Sequence, residues 1–322
     1  MARQRKNRGI VRQWELPTWG LIVAIYGGWG LLTFFWNQLP WPVLLAAGAW
    51  LVAWHMSLQH EVLHGHPTKN QWINDAIGYP PLSFWLPYRL YRDSHLAHHN
   101  DTRLTDPLDD PESQYVTAEA YERLGPLGRI LRDVYNTLPG RLLIGPGWSI
   151  GRFLIAEARL VLAGWTGRRG IWLRHMLGVI AVGAWLVLVC DVPLWQYLML
   201  AVYPGYALAL IRSFAEHRAA DEPDHRTAIV ENTPVFGLLF LHNNLHVVHH
   251  DRPCLPWYAI PAAYRESREA VLIKNQGLVY DGYTDVARRY FLTRHHHPLH
   301  PAYRPLPQHG GASEAEALRT SL

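Results

Sequence analysis

The chain has 322 residues, of which 49% are hydrophobic, 12% aromatic and only 17% charged, with a formal net charge of +4. The charged fraction is well below the roughly 25% of an average soluble domain, and so much Trp, Leu, Ile and Val excludes disorder for the body of the chain. Two cysteines exclude a disulfide scaffold, and contact with anionic lipid headgroups accounts for the positive charge better than nucleic acid does.

Lys and Arg are absent between Arg12 and Lys69 and again between Arg174 and Arg212. Each gap holds two apolar runs joined by a short turn. Roughly 20 helical residues cross a hydrocarbon core, so the pattern predicts spans near 17–36, 39–60, 174–190 and 194–212. Residues 1–16, with Arg3, Arg5, Lys6, Arg8 and Arg12, are a basic cytoplasmic N-terminus; no small-residue cleavage pattern follows, so it is not a signal peptide. The turns at Asn37–Pro42 and Asp191–Pro193 lack Lys and Arg and belong on the far side. Cys190 and Cys254 then fall on opposite sides and cannot pair.

Residues 72–91, with Trp72, Tyr79, Phe84, Trp85 and Tyr88, suit chain at headgroup level. The segment 142–163 is predicted to be a basic amphipathic surface helix, because Arg152, Glu157 and Arg159 would be costly at mid-membrane. Residues 256–322 form a polar cytoplasmic segment, frayed from Gly311 onward. The expected class is all-α: a polytopic membrane bundle of four transmembrane helices with a cytoplasmic helical cap, its catalytic domain spanning 17–255.

Three of the histidine groups matter most: His60-Glu-Val-Leu-His64, His95-Leu-Ala-His98-His99, and His242-Asn-Asn-Leu-His246-Val-Val-His249-His250. Residues three or four apart share a helix face, so each group is expected to aim its imidazoles in one direction. Neutral imidazole is the commonest side-chain metal ligand. His60 and His64 end the second span and His217 ends the fourth, so all can meet on one side of the membrane. Spacing favours two metals without choosing among zinc, copper and iron.

His60-Glu61-Val62-Leu63-His64 also fits the HExxH pattern of zinc peptidases. A single zinc needs only three protein ligands, which leaves two groups idle, and the Asp281-Gly282 pair that would supply the third lies in the polar C-terminal region. A metal transporter or sensor would place ionisable residues in mid-span, whereas here most lie at span ends.

The order HxxxH, HxxHH about 30 residues on, then a distant HxxHH after a second hairpin resembles the membrane fatty acid desaturase and hydroxylase superfamily over roughly residues 17–255. That resemblance implies a non-haem di-iron centre. Its ligands would be His60 and His64, then His95, His98 and His99, then His246, His249 and His250, with His217 of Arg212-Ser-Phe-Ala-Glu-His217 as the ninth. It also implies two ferrous ions, dioxygen as co-substrate, and a fatty acyl or other long-chain hydrocarbon substrate.

Ligating imidazoles usually give their other N–H to a carboxylate or carbonyl. Candidates are Glu61, Asp93, Asp101, Asp106, Asp109, Asp110, Glu216 and Asp251, with His242, Asn243 and Asn244 before the third group. The acidic stretch Leu104–Glu112 resembles the Asp-Pro segment that often follows the second box in the family. His55 is expected to be a buried polar contact, His66 to bond locally, and His295, His296, His297 and His300 to be solvated.

Such a centre activates oxygen, and each turnover needs two electrons from outside. Gly27-Gly-Trp-Gly30 lies inside a span and is no dinucleotide fingerprint; a separate donor, by analogy a ferredoxin, rubredoxin or cytochrome with its reductase, is implied. The expected reaction is fatty acid desaturation. The alternatives are hydroxylation of an acyl chain, alkane or carotenoid, and oxidative decarboxylation of a fatty acid to a terminal alkene. The 27 Arg against 3 Lys fit a GC-rich bacterium and hence its inner membrane.

Overall fold

The computed structural model describes residues 14–100, 103–165 and 167–303. Asp101, the basic stretch 1–13 and the tail from 304 lie outside the described residues. Four helices are long and apolar enough to cross a membrane: α1 (Leu16–Phe34), α2 (Trp41–Leu63), α9 (Arg168–Val189) and α10 (Leu194–Glu216). Between them come α3 (Gln71–Gly78), α4 (Tyr88–Asn100), α5 (Ala118–Glu122), α6 (Pro126–Tyr135), α7 (Leu138–Leu143) and α8 (Gly145–Leu162). After them come α11 (Pro234–Leu239), α12 (His246–Asp251), α13 (Ile260–Lys274) and α14 (Gly282–Tyr290). A two-residue parallel pair, β1 (Ile229–Val230) with β2 (Val279–Tyr280), is the only named sheet among the described residues. The all-α bundle with four spans is the fold.

Two helices are longer than the charge-free runs. The third begins at Arg168 rather than near 174, and the fourth continues to Glu216 rather than 212. Long Arg side chains extend their apolar stems along a helix while the charged end stays in a polar layer, so a gap between basic residues underestimates the helix. Both helices of this hairpin contain a wide π turn, at Trp185–Val189 and Leu198–Val202. In α10 the wide turn lies just before Pro204, whose ring removes a helical N–H and clashes with the preceding turn.

The spans are held together by close packing and by polar links. Trp29 Nε1 donates to Tyr197 Oη at 2.9 Å, and that hydroxyl donates to the Leu82 carbonyl at 2.8 Å. Trp36 Nε1 donates to Gln196 Oε1 at 3.1 Å. Such bonds join helices where lipid supplies no partner. Leu31, Leu177, Ile180 and Leu188 remain exposed on the outside, as lipid-facing residues do.

Segment 145–162 is not among the candidate spans. Leu154, Ile155 and Leu162 of α8 are exposed while Glu157 is buried, an amphipathic helix of the interfacial kind. The chain beyond 256 packs into the protein: Tyr280, Tyr283 and Val286 share one core with Ala53, Phe214, Val230 and Leu239. That core joins residues of α2 and α10 to the C-terminal segment.

Candidate metal centre

His60 and His64 close α2, and His217 follows the last residue of α10. His95, His98 and His99 occupy the last turns of α4, and His246, His249 and His250 occupy α12. These elements converge, and the nine imidazoles divide into two groups. One holds His60, His64, His95, His99 and His249; the other holds His98, His217, His246 and His250. Within each group the ligand atoms lie within 4.8 Å of one another. Imidazole nitrogens about 2.1 Å from one ion would be at most about 4.2 Å apart, so a slight contraction closes each group on a single ion.

The expectation that each motif aims all its rings one way is corrected here. Neighbouring residues on a helix are about 100° apart, so His98 and His99 serve different groups, as do His249 and His250.

The protons of the rings are placed by their partners. His95 Nδ1 faces Glu112 Oε1 at 2.9 Å, and His98 Nδ1 faces Asp110 Oδ1 at 2.8 Å. His246 Nδ1 faces Asn243 Oδ1 at 3.1 Å and Glu216 Oε1 at 3.4 Å. Each acceptor draws the N–H to Nδ1 and leaves a lone pair on Nε2. The Nε2 atoms then meet one another: His64 with His95 at 3.2 Å, His99 with His249 at 2.9 Å, His217 with His246 at 3.0 Å and His246 with His250 at 3.2 Å. Ring nitrogens that converge in a buried space, those of His95 and His246 with their lone pairs turned inward, suit a cation. The donor set therefore fits metal ions.

Electrostatics agree. Burial, aided by neighbouring imidazoles, holds His217, His246, His249 and His250 well below the ordinary histidine range and His99 down to about 3. Neutral rings are what a metal requires. At His98 burial acts downward but the Glu112 and Asp110 carboxylates outweigh it, pushing it up to about 9. The charge that attracts a proton to this ring also attracts a metal cation.

The remaining candidates are divided. Asp110, Glu216 and Asn243 touch ligand-type imidazoles, Asn243 also placing its Nδ2 at 3.1 Å from His60 Nε2. Glu61 instead accepts from the Trp257 backbone, and Asn244 Nδ2 donates to the Val230 carbonyl. Asp93 pairs with Arg89, Asp109 with Arg103 and Asp251 with Lys274, while Asp106 accepts from Tyr303 Oη. His242 stands outside both groups, stacked on Trp257 with centroids 5.9 Å apart. Leu241 and His242 both have positive φ, a strained pair directly before Asn243.

His55 is buried against Tyr26 Oη at 3.2 Å. His66 bonds not locally but to Glu15 Oε1, 51 residues away, at 2.7 Å. The expected solvation of the C-terminal histidines does not hold: His295 and His300 are buried, and His296 packs on Tyr115. Glu112, the acid that holds His95, was not among the expected partners; the one available signal was its place in the acidic stretch after the second box.

A cavity of about 800 Å³ adjoins the centre. Trp85, Phe153 and Tyr206 form an aromatic wall, with Trp85 centroids 5.6 Å from Phe153 and 4.7 Å from Tyr206. Glu112, Arg212 and Tyr91 line the part next to the imidazoles. Arg212 Nε lies 2.9 Å from Glu216 Oε1, so the cavity wall and the braces of the two imidazole groups share residues.

A scan against family models matches the fatty acid desaturase family over residues 36–284, a stretch that includes all nine imidazoles. The chain belongs to this family. It is an integral membrane oxidoreductase acting on fatty acyl chains, of a generally iron-dependent kind. No curated protein matches it.

Proposed function

We propose that the protein is a membrane-bound, dioxygen-dependent fatty acid desaturase with two iron ions, one in each imidazole group. The observation that carries this reading is the pair of adjoining histidine groups beside a cavity large enough for an acyl chain. The nine histidines named above hold the iron. Bound there, iron would activate dioxygen, the oxidant needed to take hydrogen from an unactivated methylene.

The chain's own residues do the rest. Trp85, Phe153, Tyr206, Met56 and Leu210 present apolar surface to the acyl chain and keep water away from it. Glu112 and Asp110 hold the protons on His95 and His98 at Nδ1 and so aim each Nε2 inward. Arg212 offsets the negative charge of Glu216 beside the cavity.

Two electrons per turnover come from a separate ferredoxin, rubredoxin or cytochrome docking on the basic face. In this reading both chain ends and the site face the cytoplasm across a bacterial inner membrane; the basic N-terminus and the Lys-free and Arg-free turns support that orientation.

Expression in a host of defined lipid profile, followed by mass spectrometry of extracted hydrocarbon products, tests the reaction. A new double bond within the acyl chain is expected. A hydroxyl or a terminal alkene would assign one of the sister reactions, and no altered product with loaded iron and a reducing partner would overturn the reading.

A further inference from the structure

The C-terminal segment reaches one imidazole group through a continuous line of hydrogen bonds. His300 Nδ1 accepts the Ala302 N–H at 3.2 Å, so its proton sits on Nε2, which lies 3.2 Å from Thr105 Oγ1. The Thr105 N–H donates to Asp110 Oδ2 at 2.8 Å, and Asp110 Oδ1 accepts from His98 Nδ1 at 2.8 Å. All four residues are buried.

Thr105 is held in a conformation it would not choose. Its φ is +75°, in the left-handed region that β-branched residues avoid. Such a conformation persists only where the surroundings impose it. Here they do: Ser113 Oγ donates to the Thr105 carbonyl at 2.6 Å, and His300 engages the hydroxyl. The backbone is laced on the same side, with the Val116 N–H donating to the Pro298 carbonyl at 2.9 Å and the His300 N–H to the Val116 carbonyl at 3.1 Å. Tyr303 Oη closes the strap on Asp106 at 3.1 Å.

We propose that residues 298–303 are a positioning strap for the second imidazole group, with His300 and Thr105 as positioning residues that act through Asp110 on His98. This rests on the reading that His98 holds iron. Without the hydroxyl and imidazole, Thr105 is free to leave the left-handed region, its N–H turns away from Asp110, and the carboxylate no longer fixes the His98 ring.

The full-length protein in detergent is loaded with ferrous iron, and its two affinities are measured by chelator competition. The Mössbauer spectrum and the unfolding temperature are recorded alongside. Thr105→Val and His300→Ala are expected to weaken one of the two irons by about 10-fold, toward the low end of the effect of outer-layer changes at metal sites, and to leave the other unchanged. Thr105→Ser and His300→Gln, which keep a hydroxyl and a donor, should restore wild-type binding. Thr105→Val is nearly isosteric and keeps the test usable if His300→Ala fails to fold. Unchanged affinities and spectrum in Thr105→Val overturn the proposal, as does equal weakening of both irons with a lowered unfolding temperature. A folded wild-type chain that binds no iron overturns the underlying metal reading instead.

Discussion

The carboxylate of Glu112 accepts a hydrogen bond from His95 Nδ1 at 2.9 Å across 17 residues of chain, while also lining the cavity. The His95 and His98 imidazoles outweigh burial and hold this acid well below the usual carboxylate range. Glu112→Gln keeps the size but removes the charge. It is expected to lower metal affinity about 10- to 100-fold, measured by chelator competition.

His98 and His249 belong to different groups. Replacing either by Ala should abolish turnover and lower bound iron, as read by elemental analysis of purified protein. Full activity in both variants would remove the site from consideration.

Helix α10 approaches α2 at glycines. A Cβ at Gly205 would stand 2.7 Å from Val52 Cβ and 3.0 Å from the Ala49 carbonyl, and one at Gly48 would stand 2.9 Å from Ala201 Cβ. Small residues permit this closeness. Gly205→Val must force the two helices apart at a cost of about 1–3 kcal/mol or more, and a lower unfolding temperature with less folded protein is the expected result.

Glu231 accepts from Arg268 Nε at 2.6 Å and from Tyr264 Oη at 2.6 Å. The Arg268 hydrogen bond, with help from Tyr264, lowers its pKa against the effect of burial. A depressed folded-state pKa gives stability that is present above the unfolded value and is lost as pH falls through the folded one. The stability difference between wild type and Glu231→Gln should therefore be full at neutral pH and shrink below about pH 4, as followed by thermal unfolding across that range.

The ring of His295 is buried among Phe214 and Tyr290, at centroid distances of 5.0 and 4.6 Å, and lies 3.1 Å from Tyr280 Oη. His295→Ala leaves a cavity and removes one of the two partners of the Tyr280 hydroxyl, the other being Tyr290 Oη at 3.3 Å. A loss of about 2–4 kcal/mol is expected from denaturant unfolding.

Much of this was legible in the sequence, because lipid forbids scattered charge and helices repeat every 3.6 residues. The gaps between Arg12 and Lys69 and between Arg174 and Arg212 marked both hairpins, and the histidine spacing marked the rings that converge. What spacing along one helix does not contain is the partner on another segment. Glu112 reaches His95 only because the acidic loop doubles back, and His66 finds Glu15 because α1 and the end of α2 lie side by side. Polarity misled at His295 and His300: a Pro-flanked histidine run reads as solvated, yet its pairing with Val116, Thr105 and Tyr280 puts it inside.

The consecutive pairs His98-His99 and His249-His250 each divide between the two groups. No single stretch of chain therefore encodes a complete ion pocket: a peptide or a transplanted loop carrying either of these two motifs would bring one or two ligands of each group and the whole of neither. The centre exists only as a property of the finished tertiary structure, complete once helices α4 and α12 have docked onto the membrane-embedded pair.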